Sequence, residues 1–402
     1  MPAHRPYDVV LYGASGFVGR QTVAYFAAHG AGLRWALAGR SYDKLLATRQ
    51  AAGPGAAQAG IVVADAADER ALMALAGDAR VVLSTAGPFA LYGSQLVAAC
   101  VAQRTHYVDI TGETPWVRGL IERHHDQAAA EGTRIIPCCG FDSVPSDLGA
   151  WTLVRHFQSL GEACVGVKAC FSLRGGFNGG TLASALNTFE TGQAAALADP
   201  WLLNPAAARP HSGPDDADPV APHRDADFKA WVGPFFMGPV NTRVVRRSAA
   251  LLGYGRDFHY QEYLRFGSGP AAALAAAGFS AGMSASQAAL RFAPVRALAR
   301  KLAPAPGEGP SEDSMNRGGF RCELVGCGAR GTVARAKVEA SGDPGNRATT
   351  VMVCEAALTL AQDARRLPGG QAGGGILTPA SGLGEVLADR LRKAGMTLAL
   401  QG

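Results

Sequence analysis

Apolar runs of strand length alternate with stretches of helical spacing through the first third of the chain. Residues 9–12, 33–38, 61–64 and 81–84 are the first four runs, and "HYVDIT" and "TRIIPCC" supply a fifth and a sixth. Between them, "FVGRQTVAYFAAH", "SYDKLLATRQ", "DERALMALAG" and "SQLVAACVAQR" read as helices. A helix after each strand returns the chain to the edge from which the next strand starts. The pattern therefore predicts a parallel sheet covered on both faces.

After residue 137 the periodicity changes. "VPSDLGAWTLVRHF" opens a helix with Pro145 in its first turn, and Ser143 or Asp142 is placed to cap it. "VGVKACFSLRG" then sets Val165, Val167, Ala169, Phe171 and Leu173 on one face of a half-buried strand. "FRCELVGCG" and "RGTVARAKVEASG" predict a late hairpin, and "TTVMVCEAALTLAQDARR" and "GLGEVLADRLRKAG" predict two final helices. The fold class is α/β. A doubly wound parallel sheet occupies residues 1–137 and a second α/β, mixed-sheet domain 138–350. C-terminal helices over 351–402 pack back to complete the first domain.

Composition narrows the partners. The chain has 402 residues, 48% hydrophobic and 18% charged, which fits a globular protein of about two domains. The net charge of +5 is mild, and no Lys/Arg run with interleaved aromatics occurs, so nucleic acid is not expected. The eight cysteines form no C-x-x-C and read as buried free thiols of a reducing compartment. No apolar leader precedes the first strand, and a cytoplasmic location is expected. His106, His124 and His125 lack metal-ligand spacing and are expected at the surface, so no metal site is predicted. Residues 266–290 carry no charge, and Arg291, Arg296, Arg300 and Lys301 follow. Three readings stand open there: a membrane span, a peripheral helix touching membrane or acyl chain through 266–301, and an ordinary buried helix pair.

The chemistry begins at "VVLYGASGFVGR". Gly13, Gly16 and Gly19 lie three apart between the first strand and the first helix, with Ser15, Phe17 and Val18 among them. A helix start offers outward N–H groups and partial positive charge, and a pyrophosphate reaches them only where no Cβ intervenes. Strand before and helix after make this the dinucleotide turn of a Rossmann-type domain. The second strand ends in "LAGRSYDKL", with Arg40, Ser41 and Lys44 but no acid to hold a ribose 2′-hydroxyl. A guanidinium there suits a 2′-phosphate, so NADP(H) is expected over NAD. Asp65 follows the third strand at adenine distance. Ala86, Gly87 and Pro88 follow the fourth beside the nicotinamide half, and Asp109, Thr111, Gly112 and Glu113 of "YVDITGE" face the same crevice.

"VVLYGASGFVGR", "STAGPFALYG", "HYVDITGE", "GFDSVPSDLGAW", "GGTLAS", "SGDPG" and "ILTPASGLGEVLADRL" together resemble the saccharopine dehydrogenase-like oxidoreductases, in particular the trans-acting enoyl reductase branch. The resemblance implies an NADP-binding domain, a substrate domain and hydride reduction of an α,β-unsaturated acyl thioester, carrier-bound, in polyketide or lipid biosynthesis. That chemistry needs a donor at the thioester oxygen and a proton for the α-carbon. Tyr92 is the candidate donor and Asp142 the second candidate catalytic residue. Asp142 and Asp147 also read as helix-start carboxylates, and Glu113 as a group that holds a cofactor amide or orients a water. Gly179–Ser184 reads either as an oxygen-binding helix start or as a turn. Two alternatives stay open: a saccharopine-type dehydrogenase using Arg174, Arg243, Arg246 and Arg247 as carboxylate clamps, and a non-catalytic lipid-associated protein that retains its nucleotide site. A homodimer is compatible with all three.

Overall fold

A computed structural model describes residues 5–175, 193–209, 216–302 and 308–401, together with Asn187 and Glu190. The first six strands are β1 (Tyr7–Tyr12), β2 (Trp35–Gly39), β3 (Gly60–Val63), β4 (Ala79–Ser84), β5 (His106–Asp109) and β6 (Arg134–Ile136). They pair in parallel in the order β6-β5-β4-β1-β2-β3. Alternation along β1 sends Val9 and Leu11 into one helical layer and Val10 and Tyr12 into the other. Both faces are covered, so the strand reads as a continuous apolar run. The order reverses at β1 and β4, and the crevice at their carboxyl ends is where this architecture binds ligands.

The second sheet contains β7 (Cys164–Arg174), β8 (His223–Asp225), β9 (Ala230–Pro234), β10 (His259–Gly267), β11 (Gly319–Gly328) and β12 (Val333–Ser341). It is mixed: β10 runs parallel to β7, and the other pairs are antiparallel. The helix Val144–Ser159 packs on β7, β11 and β12. Leu148, Leu153 and Phe157 are its fully buried apolar contacts.

The C-terminal stretch is more than helices. The helix Thr349–Gln362 packs on the helix Phe17–His29 and on β4 and β5. Then β13 (Gly375–Ile376) adds a seventh strand beside β6, and β14 (Thr397–Gln401) adds one beside β12. Both strands are too short to carry a period of their own, and only pairing with a neighbour defines them.

The uncharged stretch ends β10 and continues as one helix, Pro270–Ala289. Ala276 and Ser280 are its only buried residues, which overturns the buried helix pair. Among the described residues no helix is long and apolar enough to cross a membrane.

Candidate active site

The glycine turn is built as a strand end must be to meet an anion. Gly13 has φ +81°, and a Cβ there would stand 2.9 Å from the Ala86 nitrogen. At Gly19 a Cβ would stand 2.1 Å from the Gly13 carbonyl oxygen, so only glycine lets this helix lie against the end of β1. Gly16 is the N-cap of the helix Phe17–His29, no side chain caps it, and its first turn holds no acid. The amides and the helix dipole are thus left for a ligand. Val18 is buried in the core, so only its backbone faces outward. Ser15 gives its carbonyl to Arg20 at 3.0 Å. The Gly309 backbone crosses Phe17 so closely that a Cβ on it would lie 2.5 Å from the ring. A cradle of this kind, open to phosphate and closed to side chains, fits a dinucleotide.

Three strand ends meet beside it. The Tyr12 hydroxyl donates to Ala64 O at 3.4 Å, and burial pushes its pKa up to about 12, with the charge of Asp65 adding and that of Arg40 opposing. Arg40 and Asp65 are therefore both within electrostatic reach of the end of β1. Arg40 is exposed, and no ion pair with it occurs among the described residues. Ser41 caps the helix Tyr42–Ala51 by accepting from Lys44 N at 3.5 Å, and its O–H can still donate. Lys44 is exposed on the first turn of that helix. Asp65 takes Ala67 N at 2.9 Å. After β4, Thr85 Oγ1 donates to Tyr12 O and Gly13 O at 3.3 Å each, tying the Ala86–Gly87–Pro88 loop to the glycine turn.

The end of β5 departs from expectation. Of Asp109, Thr111, Gly112 and Glu113, only Gly112 remains accessible. The Asp109 carboxylate is fully buried and accepts from Tyr107 Oη, Thr111 N and Cys138 N, each at 3.0 Å. Burial raises its pKa to about 7 against the opposing pull of those donors. Thr111 Oγ1 accepts from Glu113 N. The Glu113 carboxylate accepts from Phe89 N at 2.8 Å and Ala90 N at 3.0 Å, the start of the short helix Phe89–Tyr92. Thr111 and Glu113 therefore hold the loop that carries Tyr92 instead of facing a cofactor. A buried carboxylate satisfies orphan helix N–H groups better than a solvated one can. Tyr92 itself is 44% exposed and not packed at the helix start.

Opposite Gly112 stands Asp142. A Cβ on Gly112 would lie 3.6 Å from Asp142 Oδ2, 3.7 Å from Met237 Cε and 3.8 Å from Val240 Cγ2. Asp142 is half-buried, its carboxyl has no hydrogen-bond partner among the described residues, and desolvation alone raises its pKa to about 7. It is not a helix cap. Ser143 does not cap either: its Oγ donates to Asn241 Oδ1 at 3.1 Å, with a backbone φ of 145°. Asn241 in turn donates to the buried Glu262, whose other oxygen takes Ser146 and Tyr260. Asp147 is fully buried and serves a different helix, accepting Ala380 N at 2.8 Å and Ser248 Oγ at 2.5 Å. Next to Asp142, the Phe141 ring meets Phe320 and Phe171 at 5.0 and 5.9 Å, and Phe171 stacks on Phe235 at 4.4 Å. Met237 and Val240 escaped sequence reasoning. Nothing local in the sequence ties that stretch to Gly112.

Three of the four candidate arginine clamps are already occupied. Arg243 pairs with Asp218 and donates to Leu197 O and Asp199 O. Arg246 holds Pro200 O and Tyr260 O, and Arg247 holds Leu203 O and Ile376 O. All three are about 1% exposed and fasten residues 197–203 to the core. Arg174 is exposed at the end of β7. His106 and His125 are not surface groups: their Nδ1 atoms accept Arg134 N and Ile376 N at 3.1 Å. Burial pushes the pKa of His106 down to about 4. All eight cysteines are free, and Cys327 alone is exposed. Gly179–Ser184 lies outside the described residues.

Residues 9–136 match the saccharopine dehydrogenase NADP binding domain. Over nearly its whole length the chain is 40% identical to Rv2449c of Mycobacterium tuberculosis (98% of this chain, 97% of that protein), whose name carries the trans-acting enoyl reductase designation. It is 38% identical to the trans-acting enoyl reductase of Mycobacterium leprae, covering 99% and 98% of the two chains. Its fold is similar to that of apo saccharopine dehydrogenase (L-Glu forming) from Saccharomyces cerevisiae, with a TM-score of 0.54, 14% identity and 98% and 99% coverage. With an NADP-binding domain and full-length relatives of this kind, the chain is an NADP-dependent oxidoreductase and belongs to the trans-acting enoyl reductase branch of the saccharopine dehydrogenase-like family.

Proposed function

We propose that the protein reduces the α,β double bond of an enoyl thioester with NADPH, the acyl chain being delivered on a carrier in lipid or polyketide assembly. The observation that carries this reading is the carboxyl of Asp142, without a hydrogen-bond partner among the described residues, close to Gly112 beside the apolar ends of Met237 and Val240. The glycine turn would hold the pyrophosphate, Arg40 with Ser41 and Lys44 the 2′-phosphate, and Ala86–Pro88 the nicotinamide half. NADPH, when bound, supplies hydride to the β-carbon.

The chain's own residues supply the rest. Tyr92, exposed on the short helix after β4, donates a hydrogen bond to the thioester oxygen as negative charge develops there. Asp142, with a pKa near 7, holds a proton at neutral pH and gives it to the α-carbon. Met237 and Val240 exclude water from that proton and accept the apolar chain. A saccharopine-like substrate with several carboxylates is less well served, because Arg243, Arg246 and Arg247 are already occupied by backbone carbonyls and, at Arg243, by Asp218.

The test is NADPH oxidation by the purified protein with 2-enoyl thioesters of increasing chain length, against NADP reduction with saccharopine. Oxidation with the thioesters alone is expected. Tight NADPH binding without oxidation by any enoyl thioester would overturn the reading.

A further inference from the structure

The helix Ala293–Leu302 buries little among the described residues. It is ten residues long, and none of its residues whose exposure is described is buried. An isolated helix below about 12–15 residues is marginal in water, so a helix of this length draws its stability from an apolar face set against something. Here the apolar side chains face outward: Val295 is 37% and Leu298 58% exposed, and Phe292 just before them is 66% exposed. The preceding helix, Pro270–Ala289, turns Ala276 and Ser280 toward β9 and leaves Leu274 77% exposed. No Asp or Glu occurs from residue 266 to 307, whereas Arg291, Arg296, Arg300 and Lys301 do. Arg300 pairs with Glu190, and Arg296 folds back on the carbonyls of Leu290 and Arg291. Arg291 and Lys301 are exposed cations at the two ends of the short helix.

We infer that this helix pair is a docking surface for an anionic lipid bilayer. The short helix would lie in the interface with Val295 and Leu298 below the headgroups, and Phe292 beside them. Arg291 and Lys301 would meet lipid phosphates. Charge complementarity selects an anionic occupant. On the short helix an exposed apolar row is flanked by cations, the pattern of an interfacial helix, and this favours a bilayer over a folded partner. The inference does not depend on the enoyl reductase reading, since its readout is binding and not turnover.

The experiment is flotation of the full-length protein with phosphatidylglycerol/phosphatidylcholine vesicles and with pure phosphatidylcholine vesicles. Retention is expected on the anionic vesicles only and should fall with added salt. Leu298→Glu should cut retention about tenfold or more. Arg291→Gln with Lys301→Gln should cut it about twenty-five-fold, at about fivefold per charge. Both sites are exposed, so circular dichroism and NADPH binding should be unchanged, which separates lost docking from lost folding. Equal retention on both vesicle types, or none on either, overturns the inference. So does a concentration-dependent dimer abolished by Leu298→Glu, or capture of an acidic carrier protein in preference to anionic vesicles.

Discussion

The two walls of the crevice are made differently. The nucleotide wall is backbone: Gly13, Gly16 and Gly19 come from one turn, and its neighbours follow at successive strand ends. The wall proposed for the substrate is side chain: Asp142, Met237 and Val240 come together around Gly112. A backbone wall recognises what every dinucleotide shares. A side-chain wall can change with substrate while the first stays fixed, which is how one fold hosts many activities.

Breaking the backbone wall should have the largest effect. Gly19→Val puts a side chain where a Cβ already stands 2.1 Å from the Gly13 oxygen. NADPH affinity should fall by about a hundredfold, measured by calorimetry on folded protein. Breaking the other wall should spare the cofactor. Asp142→Asn should lower kcat about a hundredfold to a thousandfold with NADPH affinity unchanged. In the unsubstituted protein the proton is present below a pKa near 7, so activity should decline as pH rises through about 7, and this limb should vanish in the variant. An unaltered pH profile would remove Asp142 from the chemistry.

Arg40→Ala sharpens the nucleotide wall. Losing charge-assisted hydrogen bonds of about 1.5–3 kcal/mol should weaken NADPH about tenfold to a hundredfold and leave NADH nearly untouched. Equal losses for the two cofactors would refute the 2′-phosphate assignment.

The smallest effect separates two carboxyls five residues apart. Asp142 and Asp147 both have folded pKa values near 7, raised from 3.8. Each binds its proton more tightly when folded. Their contribution to stability is therefore greatest at low pH and is lost as pH rises from about 4 through about 7. Asp142→Asn removes an unpartnered charge and should stabilise the protein by about 2 kcal/mol at pH 8, with less gain at pH 5. Asp147→Asn replaces one of the two oxygens that accept separately from Ser248 Oγ and Ala380 N with an amide NH2, and should destabilise by about 1–3 kcal/mol. Urea denaturation at the two pH values reads both.

Much of this was legible because it is local. The strand–helix alternation, the glycine turn and the absence of an acid immediately at the end of β2 lie within short windows, where periodicity and backbone conformation act directly. Glu113 and Thr111 misled for the same reason. Their position after β5 suggested the crevice, but Glu113 bonds backbone N–H groups 23 and 24 residues away. The buried arginines misled too, since a cation looks available until its carbonyl partners are known.

By itself the sequence determined the parallel sheet, the glycine turn and a strand end that carries Arg40 with no acid immediately beside it, because each lies within a short run of neighbouring residues. Tertiary structure alone decided which carboxyl was left without a partner, which arginines were consumed, and that two strands after residue 370 extend both sheets. Those outcomes depend on long-range burial and hydrogen-bond competition, and no window of sequence contains both members of such a pair.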